Sequence, residues 1–423
     1  MILRSRSSKA RHPTANALAV SVRQRSTMLN SADLNRMQRR KFLMQSSRAA
    51  VGFSLLPLAA CSHRGRTSSR WRPMLGDLEK EIAKGMEETK VPGLSIAIIK
   101  DAKLFWRQAF GVKDSASREP VDTGTLFEAA SVSKTVFAYA VMKLCEKAVM
   151  NLDTPLTRYT TERLLEGDPR LDLITARHVL SHTTGFQNWR SKEKALQIRF
   201  TPGERFSYSG EAYYYLQSVV THLTGHVDRQ VSSRFEAGLE VFATNIDQYM
   251  RANVFEPFGM GSSVYVWNDT LRNYAAPHDA EGKPSAKRKT RATTAARYGA
   301  AGGLHTTPTD YAKFLIEVIN PKASDAFRLR KDNLAEMLRP HAKINDSISQ
   351  ALGWQIRHTD NGDFIMHSGG NSGFAAFAVA STQRKSGLVI MTNSDNGHLV
   401  IDKLLLGETL PQFLGAGMPF PRF

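Results

Sequence analysis

The 423-residue chain holds only two cysteines, Cys61 and Cys145. Two cysteines cannot build a disulfide framework, and with the histidines scattered they suggest no metal site. The sequence also lacks C-x-x-C, H-E-x-x-H and G-x-x-x-x-G-K-[ST], so thiol-redox, zinc-protease and phosphate-loop chemistry have no foothold. No G-x-S-x-G is present, which argues against a nucleophile elbow of the α/β-hydrolase kind. No cofactor is expected from these patterns. Acidic residues are in deficit: 57 Lys and Arg stand against 39 Asp and Glu, a formal charge of +18. Residues 1–60 carry 11 of the bases and one acid, so the remainder has 46 bases, 38 acids and a charge of +8. A nucleic-acid partner therefore loses most of its support, and none is expected. The basic cluster Lys283, Lys287, Arg288, Lys289 and Arg291 has no interleaved aromatics. It reads as a solvated loop, with contact to anionic lipid or cell-wall polymer as the alternative.

Long hydrophobic runs are missing too. The apolar stretch from Ala49 to Ala60 is too short for a stable bilayer span and fits a signal-peptide core. Gln38-Arg-Arg-Lys-Phe-Leu-Met44 before it resembles a twin-arginine export motif, and Leu58-Ala59-Ala60-Cys61 resembles a bacterial lipobox. Together they imply export and a lipidated Cys61 that anchors the protein to a membrane of the cell envelope, facing the periplasm. A plain signal peptide is the alternative. Residues 1–36 are Ser/Arg-rich without apolar periodicity, so Met37 is the expected start, with Met28 as the other choice. The expected division is an extension and signal peptide over 1–60, a tether over 61–74 and a folded domain over 75–423. Cys145 would then stand alone, as a small buried side chain.

What the chain does contain is Ser131 and Lys134, spaced S-x-x-K at the start of a helical pattern. Val136, Phe137, Ala140, Val141 and Leu144 recur at helix spacing and predict one buried stripe. Residues three apart share a helix face, so the Lys134 amine lies beside the Ser131 hydroxyl. A serine hydroxyl needs a neighbouring base, and a lysine forced into a dry pocket loses its charge more readily. Alone, the motif is equally met by a capping serine and a solvated lysine.

Three other segments give it context. Phe200 to Leu216 reads as a Pro-Gly turn, a short extended piece at Phe206–Tyr208 and a helix from about Glu211. Tyr208 sits at the junction, where a nearby ammonium would lower its pKa. Asp363 to Phe374 reads as a strand, Phe364–His367, entering a Gly-rich turn; strands Phe374–Ala380 and Gly387–Thr392 follow. Glycines there let a backbone N–H approach a ligand closely. Ile174 to Phe186 reads as a short helix capped by Gly185, with His182 structural and no chemistry assigned.

These segments resemble the serine β-lactamase and penicillin-binding-protein superfamily, in the branch of class C β-lactamases, DD-peptidases, D-aminopeptidases and related carboxylesterases. The likeness runs from about Leu75 to the end. It includes Val91–Ile99, Leu152–Leu156, Leu180–Gly185, Phe255–Met260 and Gly302–Asp310. It implies Ser131 as acylated nucleophile, Lys134 as its activator and Tyr208 as partner base. It further implies an oxyanion hole from the N–H groups of Ser131 and Gly370, and substrate binding by His367, Ser368 and Gly369. Two departures stand out. Class C β-lactamases have Tyr-x-Asn, whereas this chain has Tyr208-Ser209-Gly210. They have Lys-Thr-Gly, whereas this chain has His367-Ser368-Gly369. Both weaken recognition of an anionic β-lactam.

The implied activity is hydrolysis of a small-molecule ester, amide or D-peptide through an acyl-enzyme. A β-lactamase or D-amino-acid peptidase is the alternative, and a catalytically weak envelope-binding protein is the reading of another class. The expected fold class is α/β (α+β): an antiparallel sheet flanked by helices, with an inserted, mainly helical lobe. Leu75, Leu78, Ile82 and Met86 predict a first amphipathic helix. Strands follow at Leu94–Ile99 and Leu104–Ala109, with a turn at Asp101-Ala102. Residues 130–300 read as mainly helical, strands return after about 350, and a last helix lies near Leu399–Leu406. Val227–Met250 reads as a lid or an extra helix.

Overall fold

The computed structural model describes residues 71–160, 163–191, 194–225, 246–265, 271–285 and 299–415. All lie in the compact unit Arg66–Phe423. The export and lipidation motifs, Cys61, the tether and most of Val227–Met250 fall outside the described residues, as do Lys287, Arg288, Lys289 and Arg291. No helix among the described residues is long and apolar enough to cross a membrane.

Helix α1, Trp71–Thr89, buries Leu78, Ile82 and Met86 along one stripe, as the spacing predicts. Strands β1 (Gly93–Lys100) and β2 (Lys103–Gly111) form a hairpin. Its turn residues Asp101 and Ala102 both take positive φ, the conformation a two-residue hairpin turn needs. A two-stranded ladder pairs β3 (Phe127–Glu128) with β4 (His305–Thr306). The remaining strands are β5 (Ala342–Lys343), β6 (Ile348–Gln350), β7 (Gln355–Arg357), β8 (Phe364–Asn371), β9 (Phe374–Ser381) and β10 (Ser386–Thr392). Eight strands make one antiparallel sheet in the order β2-β1-β10-β9-β8-β7-β6-β5. Strands from the two ends of the fold thus meet at β1 and β10, with most of the helices inserted between them in sequence.

Side chains alternate across the sheet. Ala375, Phe377 and Val379 of β9 pack with α1 and with the helices Gly397–Leu406 and Leu410–Leu414. Ala376, Ala378 and Ala380 face the larger core, which holds the helices Ser133–Glu146, Gly210–Thr224 and Pro308–Ile319. The expected fold class is thereby met.

Three local expectations change. Helix Ser133–Glu146 is buried on every side from Ser133 to Leu144, not along one stripe, because sheet and lobe enclose it. Among the described residues, the stretch 147–209 is mostly turns, with one α-helix at Ala176–Leu180. That helix ends at Leu180 with Ser181 as its C-cap, and His182 follows with φ +55, so the helix closes before the expected Gly185 cap.

Candidate active site

Strand β3 delivers the chain to Ser131. Beyond the ladder, the Ala129 N–H donates to the Leu304 carbonyl at 2.8 Å. The chain then turns at Ala130, a buried non-glycine residue with φ +47. Such a conformation costs on the order of 1–3 kcal/mol and persists only when its surroundings enforce it. Ser133 supplies that enforcement. Its hydroxyl donates to the Ala130 carbonyl at 2.5 Å and accepts the Leu304 N–H at 3.0 Å. A 3-10 turn, Ala130–Val132, carries Ser131 half-buried, and helix Ser133–Glu146 begins directly after it.

Lys134 is 1% exposed. Its Nζ donates to Ser131 Oγ at 3.1 Å and to the Ala301 carbonyl at 2.5 Å. The amine lies 4.9 Å from the ring centre of Tyr208 and 5.4 Å from that of Tyr213. Burial disfavours the ammonium and lowers the pKa from 10.5 to about 7. The amine can therefore take up a proton at neutral pH, as a base for serine must.

Tyr208 reaches Ser131 from a loop. The expected extended piece forms no strand, because residues 206–209 find no ladder partner. Ser209 instead caps helix Gly210–Thr224, its hydroxyl accepting the Ala212 N–H at 3.1 Å. The Tyr208 phenol hydrogen-bonds Ser131, and burial pushes its pKa up. The expectation of a phenol acidified by lysine is thus corrected. A pocket dry enough to discharge the ammonium also disfavours a phenolate.

The Gly-rich segment is strand rather than turn. β8 runs through Gly369 and Gly370, with Gly370 opposite Ala375, and the chain reverses at Ser372-Gly373. β7 pairs only with Phe364–Met366, so the outer edge of β8 carries no strand beyond Met366 among the described residues. A Cβ on Gly369 would lie 2.5 Å from the Ala129 oxygen and 3.0 Å from the Ser131 nitrogen. Glycine there is what allows β8 to pack on the nucleophile turn. His367 is buried, with its ring centre 6.4 Å from that of Tyr208. Its Nδ1–H donates to the Ser368 carbonyl at 2.6 Å. Burial, then the Lys134 charge, press its pKa down to about 3, so the ring is neutral as expected.

Three features had no assigned role in the sequence. The Ala301 carbonyl holds Lys134 where Gly210 has no side chain to do so. Asn371 Nδ2 donates to Glu128 at 2.7 Å and to the Gly302 carbonyl at 3.2 Å, tying the end of β8 to the approach to Ser131. His182 packs its ring 4.2 Å from that of Tyr208. His182 lay in the Leu180–Gly185 segment and Asn371 in the Gly-rich Asp363–Phe374 segment, neither singled out for a function, and Ala301 stood just before the Gly302–Asp310 segment. Over Gly210 lies Trp189: a Cβ at position 210 would meet its Cζ2 at 2.1 Å. Among the described residues no three His, Cys, Asp or Glu side chains are grouped so as to hold a metal ion.

A serine, a buried lysine and a tyrosine converging beside an open strand edge form a serine–lysine site on a β-lactamase/transpeptidase fold. The chain belongs to the beta-lactamase family, whose model matches residues 78–407. It is 20% identical over 347 residues to Protein flp of Staphylococcus aureus strain MW2, covering 76% of this chain and 63% of that one. It is 23% identical over 373 residues to the unguisins hydrolase ungD of Aspergillus violaceofuscus, covering 76% and 62%. The chain thus spans somewhat under two thirds of these relatives. Among solved structures, a β-lactamase/D-alanine carboxypeptidase from Pseudomonas syringae superposes with a TM-score of 0.65 at 20% identity, covering 79% of this chain and 98% of that one. The octameric penicillin-binding protein homologue from Pyrococcus abyssi gives 0.63 at 24% identity, covering 78% and 77%.

Proposed function

We propose that the protein is an exported serine hydrolase that cleaves an ester or amide through an acyl-enzyme on Ser131. The observation that carries this is the 3.1 Å contact between Ser131 Oγ and a lysine amine whose pKa burial has brought to about 7. In its neutral form Lys134 takes the Ser131 proton as Oγ attacks the substrate carbonyl. Negative charge then gathers on the carbonyl oxygen, where the N–H groups of Ser131 and Gly370 receive it. The bond to the leaving group breaks, and the proton on Lys134 passes to that group, with the Tyr208 phenol as relay. Water enters by the same route in reverse, deprotonated by Lys134, and releases the acid and Ser131.

Positions 210 and 367, a glycine and a neutral histidine, offer neither a side-chain amide nor a cation to an anionic bicyclic lactam, which favours simple esters and amides. The Pseudomonas syringae neighbour, a β-lactamase/D-alanine carboxypeptidase, keeps a D-peptide substrate in view. Lipidation at Cys61 would hold the enzyme at the membrane of the cell envelope. A fluorophosphonate should label Ser131, and a panel of p-nitrophenyl esters, D-alanyl amides and nitrocefin should be turned over by wild type and not by Ser131→Ala. A folded wild type that takes no label and turns over none of the panel would leave the envelope-binding role instead.

A further inference from the structure

His182 grips the chain on both sides of Tyr208. Its carbonyl accepts the Ser207 N–H at 2.7 Å, and its ring Nδ1 accepts the Ser209 N–H at 3.1 Å. Between these two bonds the imidazole lies against the phenol, with ring centres 4.2 Å apart and planes at 31°. On other sides the ring meets Tyr213 at 5.2 Å and the edge geometry of Phe206 at 6.0 Å. The His182 backbone has φ +55, a left-handed conformation uncommon outside glycine, which turns the chain just past the helix Ala176–Leu180. Residues 206–209 belong to no strand or helix, so no ladder fixes the phenol.

We propose that His182 is a positioning residue that holds Tyr208 at Ser131, acting as the Nε2–H tautomer. The tautomer follows from the geometry, since Nδ1 accepts a backbone N–H and must present its lone pair. Nε2 is buried without a protein partner among the described residues. The ring is therefore not placed for its own hydrogen bonding, and what it satisfies is the Ser209 amide. Burial, followed by the charge of a protonated Lys134, keeps the ring unprotonated, which preserves that acceptor. A misplaced phenol would slow proton transfer without removing the substrate from the site.

This inference rests on the proposed role of Tyr208, and the test separates the two. His182→Ala should lower kcat on a p-nitrophenyl ester by about a hundredfold, the usual cost of a reacting group displaced by about 1 Å, with KM nearly unchanged. His182→Asn should recover most of that loss, because its Oδ1 can take the Ser209 N–H and asparagine tolerates positive φ. His182→Phe keeps an aromatic ring but no acceptor, and should resemble His182→Ala. In a Tyr208→Phe background, His182→Ala should cost nothing further. Additive losses in that double variant, or an Asn variant no better than Ala, would overturn the proposal. Should the wild type prove inactive on every substrate, the hydrolase reading fails by itself. Amide hydrogen exchange then decides the clamp: His182→Asn should leave Ser207 and Ser209 protected and His182→Phe should expose Ser209. Equal protection of Ser209 in both variants would refute it.

Discussion

The pH dependence of acylation tests the site most directly. Burial moves the Lys134 pKa from 10.5 to about 7. The fraction of free amine is then about one half at pH 7, about one tenth at pH 6 and about one hundredth at pH 5. An ordinary lysine would be free in only about one molecule in three thousand at pH 7, so burial raises the available base by about a thousandfold. Tyr208 stays a neutral phenol because burial pushes its pKa up, and His367, with a pKa near 3, stays neutral as well. Of these three groups, Lys134 is the one that changes charge between pH 5 and 9 and so shapes the profile. The second-order rate constant for fluorophosphonate labelling of Ser131, and kcat/KM on p-nitrophenyl butyrate, should each climb tenfold per unit below about 7 and level off above it. Lys134→Arg keeps a cation that cannot release its proton, and should fall below about one per cent of wild type. A rate still rising tenfold per unit beyond pH 9, or an active arginine variant, would refute Lys134 as the base.

Lys134 should also shape stability. Its folded-state pKa lies below its unfolded value, so between about pH 7 and 10.5 the unfolded chain binds the extra proton and wild-type stability rises with pH. Lys134→Met should therefore raise Tm most at or below about pH 7, its advantage shrinking by about 1.4 kcal/mol per unit above that; a gain independent of pH would contradict this. Gly210→Asn should destabilise by about 1–3 kcal/mol, since its Cβ would lie 2.1 Å from Trp189 Cζ2. Adding Trp189→Ala should recover most of that loss in a thermal melt, and an unchanged Tm in the single variant would count against the packing argument. Esters should outpace β-lactams, and nitrocefin turnover equal to that of p-nitrophenyl butyrate would reverse the ranking. Cys61→Ala should move the protein from the membrane fraction to the soluble fraction or leave it unprocessed, and Lys at Arg39 and Arg40 should block export. A soluble wild type with another N-terminus would remove the anchor.

The sequence by itself determined whatever depends on short spacing. Ser131 and Lys134 are one helical turn apart, so any helix start there brings hydroxyl and amine together. The period of Leu78, Ile82 and Met86 sets the buried face of α1 in the same way. The β1–β2 hairpin follows from two apolar runs flanking a two-residue turn. Contacts between distant segments came only with the tertiary structure. The Ala301 carbonyl reaches Lys134 across 167 residues, and Asn371 reaches Glu128 across 243. Nothing local to either residue encodes such a meeting. The Gly-rich segment looked like a turn because glycine tolerates any φ, yet pairing with β9 extends it as strand to Asn371. His182 looked inert until the fold laid it under Tyr208. The charge state of the site was likewise a tertiary matter. Proximity to an ammonium argued for an acidified phenol, but the sheet and lobe close around both groups, and the loss of water disfavours charge on either.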